Sequence, residues 1–170
     1  MSSVLDGLRG VVHPDILERT ESISRTLTAL GVPHALIGGL AVGVHGHPRL
    51  TKDVDFIVGS QAFERTKPLL VYRPELAEVA RVGFSDLMAI PPGFPWLEEE
   101  VVLGESVPVI SLPGLVLMKL LAFRGQDQAD VAALLRDDET RLADVSDYLA
   151  ERAPDLLIRL GEVLSAARSS

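Results

Sequence analysis

Apolar positions Ile16, Ile23, Leu27 and Leu30 recur at helical spacing behind Pro14, which predicts an amphipathic helix over residues 13–30, ended by Gly31 and the Val32-Pro33 pair. The period then changes. The run HALI, residues 34–37, is short and apolar before Gly38-Gly39 and suits a buried strand that stops in a tight turn. Residues 40–46 read as a short helix or turn, 51–58 as a second strand, 61–70 as a helix and 82–90 as a third strand, after which PPGFPW interrupts. VVLGESVPVI predicts a hairpin around Gly104-Glu105, with Pro108 implying an edge position. Helices follow: 112–123 is apolar almost all round, 127–135 and 141–152 are amphipathic, and Pro154 opens a last one reaching 167. The expected organisation is an α+β fold, a small mixed sheet flanked by helices over 1–110, with a helical part over 111–170 packed on it as a single compact unit.

Within the second predicted strand, alternation puts Arg49, Thr51, Asp53 and Asp55 on one face and Leu50, Val54, Phe56 and Val58 on the other. Carboxylates two positions apart on a strand face have Cα atoms about 6.5 to 7 Å apart, so both reach a shared cation. Oxygen donors of this kind suit Mg²⁺, which keeps waters and takes substrate phosphates to complete its octahedron. Gly38-Gly39, at the end of a predicted strand, lets backbone N–H groups approach an anion closely. The spacing fits neither G-x-G-x-x-G nor the Walker A pattern.

Composition narrows the classes. The chain has 170 residues, 47% of them hydrophobic, enough for a real core, and no cysteine, which excludes disulfides, thiolate zinc sites and thiol nucleophiles. No apolar run approaches the roughly 20 residues of a membrane span, and the amino terminus lacks a signal-peptide layout, so a soluble, cytoplasmic protein without a membrane partner is expected. Sixteen Lys plus Arg against 24 Asp plus Glu leave a net charge of −8, which disfavours coating of duplex DNA. His45 and His47 form H-x-H, but a zinc site there would need carboxylates for its remaining ligands.

The run GG-L-A-x₃-HG-x₂-R-x-T-x-D-V-D-F over residues 38–56 resembles the signature of the nucleotidyltransferase superfamily. It is most similar to the minimal nucleotidyltransferases and to the toxin nucleotidyltransferases of abortive-infection type toxin–antitoxin systems. The resemblance implies an NTP held through Mg²⁺, two ions in all, and transfer of a nucleotidyl group to a hydroxyl. The acceptor is then a tRNA 3′ end or a side chain of a partner protein, with a cognate antitoxin as a further partner.

The resemblance also asks for a third carboxylate from a later strand. In GFSDLMAI, Asp86 is a lone acid in an apolar strand, where an unpaired carboxylate is costly. Asp53, Asp55 and Asp86 are therefore the expected catalytic, metal-holding residues, with Glu98 to Glu100 as the fallback for the third. Gly38, Gly39, Arg49, Thr51 and Lys119 are the expected nucleotide-binding residues, with His45 and Asp130, which match family positions, as accessory ones. Lys119, the only charge between Leu112 and Phe123, is a snorkelling side chain or a phosphate contact. Asp127 reads as the N-cap of the following helix, and Arg124 as a phosphate contact or a cap of a helix carboxyl end. Two other readings stand beside transfer to RNA or protein. One is a non-catalytic module that binds a nucleotide or partner on the same fold; the other is a transferase that adenylylates a cationic antibiotic.

Overall fold

The structure, a computed structural model, describes residues 3–58, 87–89, 101–103 and 106–169. The expected helix at 61–70, Asp86, the turn at 91–96 and Glu98 to Glu100 lie outside them. The protein is a mixed α+β chain that divides into two compact units: Met1–Val44 with Pro48–Ile110, and His45–His47 with Ser111–Ser170.

In the first unit a 3-10 turn, Asp6–Leu8, precedes helix α1, Pro14–Ala29. His13 caps α1 through Nδ1, which accepts the Asp15 N–H at 3.3 Å, and Gly31 beyond its end has φ +66°. The buried face is Leu17, Thr20, Ile23, Ser24 and Leu27, so Leu17 rather than Ile16 starts the inward stripe. Strand β1, His34–Ile37, is buried throughout and runs directly into helix α2, Gly38–Val44. The double glycine expected as a turn is thus also the start of a helix.

Strand β2, Asp55–Val58, is half as long as the expected 51–58. The reason lies in its partner: β1 pairs with it antiparallel from His34↔Val58 to Ile37↔Asp55, and beyond Ile37 the chain has turned into α2. Residues before Asp55 find no β1 backbone to bond, and 51–54 remain a loop. Strands β3, Leu87–Ala89, β4, Val101–Leu103, and β5, Val109–Ile110, complete a sheet ordered β3-β2-β1-β5-β4. The three inner strands carry the buried side chains Leu36, Phe56, Ile57, Val109 and Ile110. β4 and β5 are antiparallel, as the hairpin reading required, with an irregularity between Val101 and Leu103. Pro108 is not at an edge. It precedes β5, which lies between β1 and β4, and its carbonyl accepts the Leu36 N–H at 2.8 Å. A proline is tolerated just before a strand because only its missing N–H, not its carbonyl, is lost to the ladder.

In the second unit helices α3, Leu112–Ala122, α4, Gly125–Leu135, α5, Glu139–Arg152, and α6, Leu156–Arg168, bury Leu115, Leu120, Leu135, Val145, Leu149 and Leu160. Ser111 Oγ caps α3 by accepting Gly114 N–H at 3.1 Å, and Asp138 Oδ1 caps α5 by accepting Arg141 N–H at 3.0 Å. Among the described residues no helix is long and apolar enough to cross a membrane.

Candidate functional site

The site residues of the first unit meet at the junction of β1 and α2. Gly38 has φ +67°, and a Cβ there would run into the Asp55 carboxylate, with Cγ at 3.0 Å and Cβ at 3.1 Å. A Cβ on Gly39 would stand 3.0 Å from Thr51 Oγ1 and 3.3 Å from Arg49 Nη2. The two glycines are therefore the floor on which Asp55, Thr51 and Arg49 rest. Their lack of side chains is what permits that approach. The convergence has a local cause: β1 and β2 pair up to Ile37↔Asp55, so the last residue of one strand faces the first of the other, and Gly38 follows immediately.

Asp55 is half-buried, as are Arg49 and Thr51, while Asp53 is exposed on the loop. Thr51 Oγ1 reaches the Asp53 carbonyl at 3.4 Å, a local contact that shapes the approach to β2. Because β2 begins only at Asp55, strand alternation does not set the relation of Asp53 to Asp55; the loop does. Asp86 lies outside the described residues. β2 and β3 run parallel with Phe56 opposite Leu87, and these are the residues that follow Asp55 and Asp86 in the chain.

The donor set suits a hard cation. Among the described residues no three His, Asp or Glu side chains gather into a full protein cage. Mg²⁺ does not ask for one: it is commonly held by one or two carboxylates, with waters and phosphate oxygens filling the rest. Asp55 beside a glycine floor, with Asp53 two residues upstream, fits that requirement.

The second unit carries a different cluster. Lys119 Nζ donates to Asp130 Oδ2 at 2.7 Å and to Asp127 Oδ1 at 3.1 Å; Lys119 is 6% exposed, Asp127 4% and Asp130 0%. Gln126 Nε2 donates to Asp130 Oδ1 at 2.9 Å, and Arg124 Nε to Asp127 Oδ2 at 2.8 Å. Lys119 thus neither snorkels nor presents its ammonium outward. It is held between two carboxylates at the α3–α4 corner, and Asp130 is its counter-ion. Burial pushes the Asp127 carboxyl up, but hydrogen bonds from Arg124 and Lys119, together with their charges, outweigh it and hold Asp127 below the usual carboxylate range.

Two capping expectations change here. Asp127 is not an N-cap; α4 starts at Gly125, and Asp127 reaches back from the first turn to accept the Arg124 N–H at 3.2 Å. The carboxyl end of α3 is served not by Arg124 but by Arg159, whose Nη1 donates to Leu120 O at 2.7 Å and whose guanidinium stacks on Phe123 with 4.9 Å to the ring centroid. His45 contributes its carbonyl, which accepts from Arg141 Nη1 at 2.8 Å; His47 is exposed.

One polar group has no counterpart in the sequence reading. His34, in the otherwise apolar β1, is buried with Nδ1 2.9 Å from the Val32 carbonyl and Nε2 2.8 Å from Ser24 Oγ, which also lies 3.1 Å from the Ser106 carbonyl. Burial lowers its pKa below the ordinary 6.5, against the opposing pull of the Val32 carbonyl. The signal that was available is the polar residue itself, in a strand whose other members are Ala, Leu and Ile.

Comparison with known protein families and with curated proteins returned no match to this chain.

Proposed function

We propose that the chain is a Mg²⁺-dependent nucleotidyltransferase that moves a nucleoside monophosphate from an NTP to a hydroxyl, at an RNA 3′ end such as that of tRNA or on a partner protein. The observation that carries this reading is the gathering of Asp55, Thr51 and Arg49 over Gly38-Gly39. A carboxylate, a hydroxyl and a guanidinium around a side-chain-free backbone turn match what a metal-bound triphosphate requires.

Asp53 and Asp55 would hold the ion, which when bound would supply positive charge against the phosphates and lower the pKa of the acceptor hydroxyl. The Gly38-Gly39 backbone receives phosphate oxygens, and Thr51 orients them. The acceptor oxygen bonds to the α-phosphorus, the bond from that phosphorus to the bridging oxygen breaks, and pyrophosphate leaves while the hydroxyl proton passes to a carboxylate or to water. Arg49 offsets the charge that grows on the leaving pyrophosphate, because alignment and electrostatics are what a protein contributes to phosphoryl chemistry. Asp86 is proposed as the third carboxylate, supported by the parallel register Phe56↔Leu87. In a toxin–antitoxin pair, this transfer would be the toxic activity and the antitoxin its restraint.

The test is incubation with Mg²⁺, each α-labelled NTP and either total RNA or cell protein, comparing wild type with Asp53→Ala, Asp55→Ala and Asp86→Ala. Label transferred by wild type and lost in the first two variants is the expected result, and equal labelling throughout overturns the assignment. Asp86→Ala retaining full activity removes Asp86 alone. Nucleotide bound but no label moved to any acceptor selects the binding-module reading.

A further inference from the structure

We propose that Leu8 and Gly43 form a positioning pair for this site: Leu8, seated against the side-chain-free face of Gly43, sets where α2 lies and so where Gly38-Gly39 meets Asp55, Thr51 and Arg49. Every group involved belongs to the sheet unit. The pair's meaning for catalysis rests on the nucleotidyl-transfer reading, but its packing does not.

The fit is close. A Cβ built on Gly43 would stand 2.6 Å from Leu8 Cδ2, 3.6 Å from Leu8 Cδ1 and 3.5 Å from Pro48 Cα, whereas carbon atoms ordinarily rest about 3.5 to 4.0 Å apart. Leu8 cannot swing out into solvent at no cost: it is 1% exposed, and Leu5 and Val12 of the same segment are buried as well. The backbone around it is also held. Leu8 N–H donates to Leu5 O at 2.9 Å, and Leu8 O accepts from Val11 N–H at 3.1 Å and from Val12 N–H at 3.0 Å. Ser3 ties the segment to α1, its N–H donating to Asp6 Oδ2 at 2.8 Å and its Oγ to Glu21 Oε1 at 2.9 Å.

Gly43 stands one turn after Gly39 on α2, and residues four apart share a helix face. The chain after α2 approaches both: Pro48 at Gly43, then Arg49 and Thr51 at Gly39. Pro48, whose ring fixes its φ, immediately precedes Arg49. Admitting a methyl at Gly43 by moving α2 about 1 Å would shift Gly39 against Thr51 and Arg49, and misplacement of that size is costly at a reacting site. Leu8 acts through α2 and is not a catalytic residue.

The full chain tests this with Gly43→Ala, Leu8→Val and the two together. Alanine favours helix over glycine, so a purely local effect of Gly43→Ala would firm α2. The expected result is the reverse: hydrogen exchange about tenfold faster at peptides covering 5–12 and 38–44, with α1 unchanged. Titration with the Mg²⁺ complexes of ATP, GTP, CTP and UTP is expected to show the bound nucleotide weakened about tenfold in Gly43→Ala. Leu8→Val withdraws the methyls that the new Cβ would meet, so the double variant returns both readouts to within about threefold of wild type. Exchange at 38–44 no faster than wild type in folded Gly43→Ala overturns the proposal, as does a loss of affinity that Leu8→Val does not recover. Equal affinity in wild type and Gly43→Ala overturns it too, even where the melting temperature falls, because a contact of structural value alone moves only stability. If wild type binds no nucleotide, the nucleotidyl-transfer reading fails while the exchange arm still decides whether Leu8 and Gly43 set α2. Should Gly43→Ala fail to fold, the double variant carries the comparison: folding and binding near wild type support the pair, and failure to fold again overturns it.

Discussion

Gly38 and Gly39 are adjacent and chemically identical, yet they are constrained by different forces. Gly38 has a left-handed backbone and faces the Asp55 carboxylate, so Gly38→Ala combines backbone strain of about 1 to 2 kcal/mol with displacement of Asp55. It is expected to lower the denaturant midpoint and to abolish nucleotide binding together. Gly39 has no such backbone demand, and its hypothetical Cβ is only tight against Thr51 and Arg49. Gly39→Ala should melt close to wild type while binding Mg²⁺-NTP more weakly, a split that a fluorescence titration beside a melting curve measures. Lys119 shows how one residue can be anticipated as a site and placed by another force. Its ammonium is buried against Asp127 and Asp130, and Asp127 keeps Arg124 when that ammonium is lost, so Lys119→Met removes the charge held against buried Asp130 and is expected to destabilise the fold by roughly 3 kcal/mol in chemical denaturation. Adding Asp130→Asn to that variant should recover part of the loss.

Between elements, two polar links stand out. At the α3–α4 corner, the Lys119–Asp127–Asp130 cluster joins helices separated by Phe123 and Arg124. In the sheet unit, His34 and Ser24 join β1 to α1, and Ser24 continues to the chain just before β5. The two links respond to acid in different ranges. His34 has its folded pKa below 6.5, so the unfolded chain takes up the proton first; the stability is fully present above pH 6.5 and declines as pH falls beneath it. Asp127, held below its ordinary 3.8, contributes stability that is present above that pH and is lost only as pH falls through its lowered folded value. Melting temperature measured from pH 8 to pH 5 should therefore be flat above pH 6.5 and fall below it. In His34→Gln the curve should start lower and be flatter across the same window.

For the molecule as a whole, a net charge of −8 limits how an RNA acceptor can be held. If the acceptor is an RNA 3′ end, binding uses few phosphate contacts, and the slope of log affinity against log salt should be shallower than about −2. Filter binding between roughly 50 and 300 mM salt checks this, and a steep slope would instead indicate an extended basic surface. The helices of the second unit were legible because their apolar period is local, and Pro154 announces a start two residues before Leu156; their first turns were not, since Gly125 and Glu139 each begin a helix two residues before the expected 127 and 141. The length of β2 was not legible, because alternation continues through residues 51–54 whether or not β1 reaches far enough to pair with them. The pairing of Lys119 with Asp127 and Asp130 was not legible for a related reason. A lysine in an apolar helix reads alike whether its partner is a phosphate or a carboxylate on the next helix.

By itself, the sequence determined the mixed α+β class, the succession of most elements, and the types of residue at the candidate site, since period, capping and glycine chemistry act within a few residues of their cause. Only the tertiary structure decided that Asp55 rests on Gly38 and that Thr51 and Arg49 rest on Gly39. It also decided that Lys119 is neutralised by Asp127 and Asp130, that His34 is buried against Ser24, and that Arg141 reaches back to His45. Each of these depends on which groups, remote in the chain or merely out of register, are brought within hydrogen-bonding distance, and burial then makes the partner of a charge matter more than its identity.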